Sequence, residues 1–151
     1  MLLLTVQSKE VIDEIYKNGV YYADINKSYY YKKTPNCYKE LMNRISGNCP
    51  IFTWYKLEGK QVGIDEEFIK AGGMKAVNEG VWLLLDVPDN QVLLTDFYEY
   101  TDMMFLETEG PDDFKDLPTW EAVFNYVDKS YDIQAIIPCI KKEWIVKHKE
   151  D

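Results

Sequence analysis

Apolar residues along the chain change between two spacings, one typical of buried β-strands and one typical of amphipathic helices. The first apolar run, residues 2–6, predicts a short buried strand. In residues 9–18 the apolar side chains fall three and four positions apart, which predicts a helix. Ser8 is suited to cap this helix with its hydroxyl, and Gly19 to end it in a left-handed conformation. Residues 20–23 return to a strand pattern, so the chain opens as strand, helix, strand.

The same two spacings recur to the end of the chain. Strands are predicted at residues 51–57, 80–87, 92–95 and 133–137, and helices after Pro35, Asp96 and Thr119. Asp96 is a predicted N-cap, and Glu99 follows it at the spacing of a capping box. A turn at residues 88–90 separates the strands 80–87 and 92–95, which we therefore expect to pair as a hairpin.

Helices and strands are interspersed along the sequence rather than grouped. Residues 61–79 follow neither spacing, and residues 65–69 within them fit a helical turn or a loop. No internal repeat and no linker rich in serine, glycine or proline divides the chain. The predicted fold class is α+β, a single domain over residues 1–151 with a curved mixed or antiparallel sheet flanked by helices.

Charge narrows the range of partners. The 26 acidic residues outnumber the 17 lysines and arginines, which gives the chain a net charge of −9. A field of this sign repels phosphate backbones and anionic lipids, so we expect neither nucleic-acid backbone binding nor membrane binding. The first apolar run stops at Thr5, too early for a signal peptide, and no run approaches the ~20 apolar residues of a membrane span. The predicted location is cytoplasmic.

Residues for nucleophilic or zinc chemistry are scarce. The single histidine, His148, lies between two lysines close to the end of the chain, which indicates a solvated tail rather than a catalytic triad or a zinc site. The cysteines Cys37, Cys49 and Cys139 are odd in number and contain no Cys-x-x-Cys pair, so neither a disulfide framework nor a thiolate metal site is predicted. Cys37 and Cys139 are interpreted as small packing residues.

Several polar and aromatic residues stand within the predicted strands. Thr5, Gln7 and Gln134 lie in or beside apolar strands, where a buried polar group needs a hydrogen-bond partner. Either these three bond within the fold, or Thr5 and Gln134 meet in a cleft and bind a ligand. Trp54 and Tyr55 are adjacent in a strand, so they point to opposite faces and serve either packing or stacking on a nucleotide ring.

Charged candidates are also open to two interpretations. Glu143 is either a solvated charge or a general base, which would need a close partner. The acidic loop at residues 112–116 is either solvated surface or a weak divalent-metal site that follows no calcium-loop pattern. The basic and aromatic segment Tyr29–Lys33 is either ordinary surface or a phosphate contact.

Blocks spread over nearly the whole chain resemble a bacterial family called domain of unknown function 3841. The blocks are Thr5-Val6-Gln7, Pro50–Tyr55, Asp86–Pro88, Val92–Phe97, Ile133–Ala135 and Glu143-Trp144, in the order in which the family carries them. This chain departs from the family at Tyr100-Thr101, where the family tends to have Trp-His, and at Pro138, where it tends to have Trp. The resemblance therefore implies no chemistry that depends on an imidazole at Thr101.

A more distant resemblance is to ADP-ribosyltransferase domains. It rests on a first strand followed by a helix and Gly19, an aromatic strand at residues 51–57, and a last strand from Gln134 that leads to Glu143-Trp144. Such domains carry His or Arg on the first strand, Tyr or Ser on the second and Glu near the last. These residues surround a split sheet that clamps NAD.

By position, this resemblance matches Thr5, Trp54 or Tyr55, and Gln134 to the three residues of those domains. A neutral Gln134 cannot supply the negative charge that stabilises an oxocarbenium-like transition state. The resemblance thus implies a cleft for NAD, the one cofactor it suggests, with the usual chemistry impaired or absent. The candidate ligand-binding residues are Thr5, Gln7, Trp54, Tyr55, Gln134 and Glu143.

Three functions are compatible with the sequence. The first is binding of NAD or a related nucleotide in an ADP-ribosyltransferase-like cleft with degenerate catalysis. The second is a non-catalytic module of phage or mobile-element type, which binds a protein partner or sequesters a small ligand through its tyrosine-rich surface. The third is an enzyme that uses carboxylates alone, such as Glu143 with a residue of the acidic loop.

Overall fold

An antiparallel sheet with helices on both faces organises the chain. The computed structural model describes residues 1–63, 80–125 and 127–150, and within them the fold is α+β, as the sequence predicts. Its strands are β1 (Leu2–Gln7), β2 (Val20–Tyr21), β3 (Ile51–Leu57), β4 (Lys60–Gln61), β5 (Val81–Asp86), β6 (Leu93–Asp96), β7 (Ile133–Ile137), β8 (Ile140–Lys141) and β9 (Ile145–Glu150). Its helices are α1 (Lys9–Asn18), α2 (Tyr29–Lys33), α3 (Pro35–Arg44), α4 (Phe97–Glu109) and α5 (Trp120–Phe124).

Side-chain caps begin three of these helices where the sequence predicts them. The Ser8 hydroxyl accepts the backbone N–H of Val11 at the start of α1, and Gly19 ends that helix with a φ of 80°. A carboxylate oxygen of Asp96 accepts the N–H of Glu99 at 2.9 Å, and the Thr119 hydroxyl caps α5 in the same way. None of the described helices is both long enough and apolar enough to cross a membrane. The predictions for residues 65–69 lie outside the described residues.

The strand order of the sheet is β6-β7-β3-β1-β5-β9, with the short β4 added to β3. The predicted hairpin between residues 80–87 and 92–95 is wrong, because β6 pairs with β7 at one edge while β5 lies between β1 and β9. The physical reason is burial: residues 81–85 are buried, so the backbone N–H and C=O groups at both edges of β5 need hydrogen-bond partners, and β1 and β9 supply them. The turn after β5 therefore does not determine which strand pairs with β5.

Each face of the sheet has its own hydrophobic core. Helix α1 packs Ile12 and Ile15 on one face, against residues that include Leu3, Leu83 and Ala135. On the opposite face, α3, α4 and α5 cover β6, β7 and β3 with the residues Cys37, Leu41, Tyr100, Met103 and Val123. A third cluster of Leu4, Val62, Trp82 and Leu84 lies over β1 and β5 on this second face. The interpretation of Cys37 and Cys139 as packing residues is confirmed, since both are buried in these clusters.

A carboxylate of α4 holds the N-terminus of α3. Thr34 at the start of α3 donates its hydroxyl to the Tyr30 carbonyl and therefore does not cap the helix. Instead, the two carboxylate oxygens of Glu107 accept the N–H groups of Asn36 at 2.9 Å and Cys37 at 2.8 Å. This contact satisfies two amides that otherwise lack helical partners, and it places a negative charge at the positive end of the helix. It fixes α3 against α4.

We expect Glu107→Ala to lower the free energy of unfolding by about 1–2 kcal/mol, the usual cost of losing a helix cap. Urea denaturation measures this change. Asp102→Ala is the matched control, because Asp102 is exposed on the same helix. Equal losses for the two variants would contradict a capping role for Glu107.

Candidate functional site

A cavity of about 500 Å³ lies between the helices α2, α3 and α4 and the strands β3 and β7. We call it the aromatic cavity, because phenyl and phenol rings form most of its wall. The residues that line it are Tyr30, Tyr38, Phe52, Phe97, Tyr100, Thr101, Met104, Phe105 and Gln134. Its size lies within the range of about 300–1,000 Å³ that is usual for pockets of small ligands.

The periodicity of α4 builds one wall of the aromatic cavity. The lining residues Phe97, Tyr100, Thr101, Met104 and Phe105 occur at the i, i+3, i+4, i+7 and i+8 positions of this helix. Residues at this spacing share one helical face. A single helix therefore supplies five of the lining residues, and it is the helix that Glu107 fixes to α3.

Strand register builds the floor of the aromatic cavity. Gln134 of β7 lies opposite Trp54 of β3, and Ile136 lies opposite Phe52. Residues opposite each other in an antiparallel pair share a face of the sheet, as do alternate residues of one strand. Gln134 and Phe52 are thus brought to the face that α3 and α4 cover.

The side-chain amide of Gln134 is the polar group of this floor. The residue is half-buried, and its backbone carbonyl accepts the Thr95 hydroxyl. Within the part of the chain that the structure describes, no hydrogen bond to its side-chain amide is found. By contrast, Thr101 donates its hydroxyl to the Phe97 carbonyl, and Tyr38 accepts a hydrogen bond from Ser28 at 2.8 Å. Gln134 therefore has a donor and an acceptor left for a ligand.

The wall of the aromatic cavity is electrically neutral. Burial raises the pKa of Tyr100 well above its ordinary value of 10.0. Burial also raises the pKa of Tyr38, against the opposing effect of its hydrogen bond with Ser28. Both phenols are therefore protonated at neutral pH, and no carboxylate, imidazole or ammonium group is among the described residues of the wall. The cavity suits a neutral ring rather than a charged one.

A smaller hollow of about 160 Å³, here called the side hollow, adjoins the aromatic cavity. The two share the wall residues Tyr30, Thr101, Met104 and Phe105, and the side hollow adds Lys33, Thr34 and Thr108. The ammonium of Lys33 lies 4.7 Å from the centre of the Tyr29 ring. The basic and aromatic segment Tyr29–Lys33 forms helix α2. Its residue Tyr30 lines both spaces, and Lys33 lines the side hollow.

Of the candidate residues, Gln134 alone lines the aromatic cavity within the described residues. The ring of Trp54 contacts that of Phe97, a residue of the wall, with 5.1 Å between the ring centres. Tyr55 packs against the core on the α1 side, whereas Trp54 packs with Leu4 on the other side. The prediction that Trp54 and Tyr55 point to opposite faces is confirmed.

The predicted meeting of Thr5 and Gln134 in one cleft is wrong. Leu4 lies opposite Trp54, which lies opposite Gln134, so Leu4 and Gln134 share a face and Thr5 points to the other. Thr5 is only 2% exposed, and its hydroxyl donates to the Phe52 carbonyl and accepts the Gln7 amide at 3.0 Å. The physical reason is strand parity, which the order of the strands determines.

The remaining charged candidates lie elsewhere. Glu143 is exposed in a 3₁₀ turn that leads into β9, at the opposite edge of the sheet from β6. No group of three acidic, histidine or cysteine residues in the described ranges is placed to hold a metal ion. The ligand-binding role of Glu143 stays a prediction, separate from the aromatic cavity.

Residues of α4 form the part of the site that the sequence analysis did not identify. Phe97, Met104 and Phe105 have the spacing of a buried helical face, which is also the pattern of ordinary core residues. In the structure Phe105 differs from a core residue, because it is 54% exposed although it lies on this face. The one sequence signal was the block Tyr100-Thr101, where the chain departs from the family that it resembles.

Comparisons of the chain with protein-family models, with curated proteins and with solved structures find no match.

The Tyr100 hydroxyl gives a prediction about stability. It is buried and has no hydrogen-bond partner among the described residues, a situation that costs about 1–3 kcal/mol. We expect Tyr100→Phe to raise the free energy of unfolding by about 1 kcal/mol at pH 7. The folded-state pKa of Tyr100 is raised, so its contribution is constant below pH 10.0 and is lost as the pH rises further. The variant should therefore lose stability less steeply above that pH.

Urea denaturation at pH 7 and at about pH 11 measures both effects. Tyr38→Phe is the matched control, because its hydroxyl is bonded to Ser28 and its loss should destabilise the fold. If Tyr100→Phe destabilised the protein as much as the control at pH 7, the Tyr100 hydroxyl would have a partner and the prediction would fail.

Proposed function

We propose that the protein binds the planar base of NAD or a related nucleotide in the aromatic cavity and catalyses no reaction on it. The observation that supports this proposal is the half-buried Gln134 amide, which lies on a floor surrounded by aromatic rings and has no hydrogen-bond partner among the described residues. A glutamine amide presents a donor and an acceptor side by side. This pattern is complementary to the N6 and N7 atoms of adenine.

Ring stacking would supply the larger part of the affinity. Phe52, Phe97 and Phe105 line the same cavity as Gln134, and a base stacked on an aromatic side chain gains about 1–3 kcal/mol. The neutral wall contributes as well, since a nucleobase is uncharged at neutral pH. A ring with a hydrogen-bonding edge fits this combination better than an aliphatic chain, which would leave the Gln134 amide unpaired.

Binding without catalysis follows from the composition of the wall. A general base or acid must lie within hydrogen-bond reach of the reacting group. Thr101, the position at which the family called domain of unknown function 3841 tends to have His, lies in the wall and donates its hydroxyl to the helix backbone. Membership of that family and a likeness to ADP-ribosyltransferases stay predictions. The proposal retains the nucleotide that they imply and assigns it to other residues.

A second candidate function is capture of an aromatic side chain of a protein partner. Tyr30 and Phe105 line the cavity and are 57% and 54% exposed, and the ring of Tyr29, which is 63% exposed, contacts that of Tyr30. Exposed aromatic clusters of this kind are typical of interaction surfaces. Such a partner would use the same cavity, so the two functions differ in whether a free nucleoside is sufficient for binding.

Thermal denaturation with adenosine, ADP-ribose and NAD tests the proposal. A compound at 100 times its dissociation constant adds about 2.7 kcal/mol of stability. We expect a stabilising shift, and we expect Gln134→Leu to weaken binding by about tenfold, because a paired amide contributes about 1–3 kcal/mol. Calorimetric titration measures the affinity.

Gln7→Leu is the matched control, since Gln7 is a strand glutamine on the opposite face that bonds to Thr5. Its affinity should equal that of the unchanged protein. Absence of any shift at millimolar concentrations would overturn the nucleotide proposal and favour the protein partner.

Phe105 tests the stacking contribution separately. Because its ring is exposed, we expect Phe105→Ala to leave the melting temperature of the unliganded protein within about 2 °C. The affinity for the base should fall by about tenfold, as expected for the loss of one stacking ring. Tyr22→Ala is the control, because Tyr22 is equally exposed at 56% but does not line the cavity. Equal affinities of the two variants would contradict the stacking role.

A further inference from the structure

The wall of the side hollow is almost wholly apolar. Its three threonines each donate their hydroxyl to the backbone carbonyl four residues earlier, Thr34 at 2.8 Å, Thr101 at 2.8 Å and Thr108 at 3.2 Å. A hydroxyl has a single hydrogen, so none of these groups is left to donate to a ligand. The rest of the wall is formed by the side chains of Tyr30, Met104, Phe105 and Lys33.

Lys33 does not make this wall polar. Its ammonium lies over the Tyr29 ring, 4.7 Å from the ring centre, and Tyr29 lines neither of the two spaces. Long lysine side chains commonly border an apolar surface with their carbon stem while the ammonium stays in water. A phosphate or a sugar hydroxyl would lose its water partners in the side hollow without gaining new ones. The side hollow therefore suits an apolar group.

The side hollow has the size of one ring. Its volume is about 160 Å³, and an apolar protein cavity of about 150 Å³ is large enough to bind benzene. Because it shares four wall residues with the aromatic cavity, one ligand can reach both spaces. Two of the shared residues, Tyr30 and Phe105, are more than half exposed, so an apolar group in the side hollow would remove aromatic surface from water.

We propose that the ligand is a nucleoside whose adenine base carries an apolar substituent on its exocyclic amine, and that this substituent occupies the side hollow. This inference rests on the proposed function and specifies its ligand class. Pairing of adenine with the Gln134 amide uses N7 and one of the two hydrogens on N6. A substituent can replace the other hydrogen, and both hydrogen bonds to Gln134 are then kept.

Burial of the substituent would let the protein distinguish modified from unmodified nucleosides. Full burial of a group as large as a phenylalanine side chain changes an affinity by about tenfold to a hundredfold. Since the ring of Phe105 at the side hollow is itself exposed, burial there is partial, and we expect the lower value. A charged substituent of similar length would lose hydration in the side hollow and gain no affinity.

Calorimetric titration of the full chain with adenosine, N6-benzyladenosine and N6-(2-aminoethyl)adenosine tests this inference. We expect the benzyl compound to bind about tenfold more tightly than adenosine, and the aminoethyl compound to bind no more tightly than adenosine. Thr108→Trp should remove the advantage of the benzyl compound, because the exposed Thr108 lines only the side hollow and an indole there would compete for the same space. Asp102→Trp is the matched control, since Asp102 is an exposed residue of the same helix that lines neither space.

Nuclear Overhauser effects between ligand and protein report where the substituent lies. In the complex with N6-benzyladenosine, we expect them between the benzyl ring and the methyl groups of Thr34 and Thr108, which line the side hollow but not the aromatic cavity. The methyl group of Thr5, on the other face of the sheet, should show none.

The outcomes separate this inference from the function on which it rests. If the benzyl compound bound no more tightly than adenosine, if the two tryptophan variants bound it equally, or if its ring contacted neither Thr34 nor Thr108, the substituent assignment would be overturned while the base-binding function remained. An equal gain for the aminoethyl compound would overturn the apolar character of the substituent. If none of the three compounds bound, both proposals would fail.

Discussion

The register between β7 and β3 is the constraint on which the site depends. Gln134 stands opposite Trp54, and this pairing places its amide on the face that α3 and α4 cover. A slip of one residue would turn Gln134 toward the α1 core, because side chains alternate between the two faces of a strand. The same slip would move Ile136 out of the core under α3 and α4, and Ala135 into it. Burial of these residues therefore fixes the register, and the register fixes the site.

Helices α2, α3 and α4 form the rest of the site above the strands β3 and β7. Glu107 ties the start of α3 to α4, and the face of α4 from Phe97 to Phe105 then stands over Gln134 as a wall. Tyr100 of α4 packs into the core and also borders the aromatic cavity. Among the described residues, neither the buried Tyr100 hydroxyl nor the half-buried Gln134 amide has a hydrogen-bond partner, and both residues line this space.

Local signals in the sequence predict the elements well and their arrangement poorly. Ser8, Gly19, Asp96 and Thr119 specify helix ends through contacts within a few residues, so the predicted boundaries agree with the structure. The predicted partner of β6 and the predicted cleft between Thr5 and Gln134 are wrong for the same reason. Both depend on the order of strands that lie far apart in sequence, and a turn or an apolar run carries no information about that order. The cavity could not be foreseen either, since the residues of its α4 wall have the spacing of ordinary core residues.

The side-chain amide of Gln134 can be observed directly by NMR while a ligand is added. In a ¹⁵N-resolved NMR titration with 5′-AMP, the side-chain NH₂ signals of Gln134, assigned from the spectrum of Gln134→Leu, report whether the amide acquires a partner. We expect these signals to move and saturate with the ligand, while those of Gln7, already bonded to Thr5 on the other face of the sheet, stay in place. Saturable movement of the Gln7 signals with those of Gln134 unchanged would contradict it.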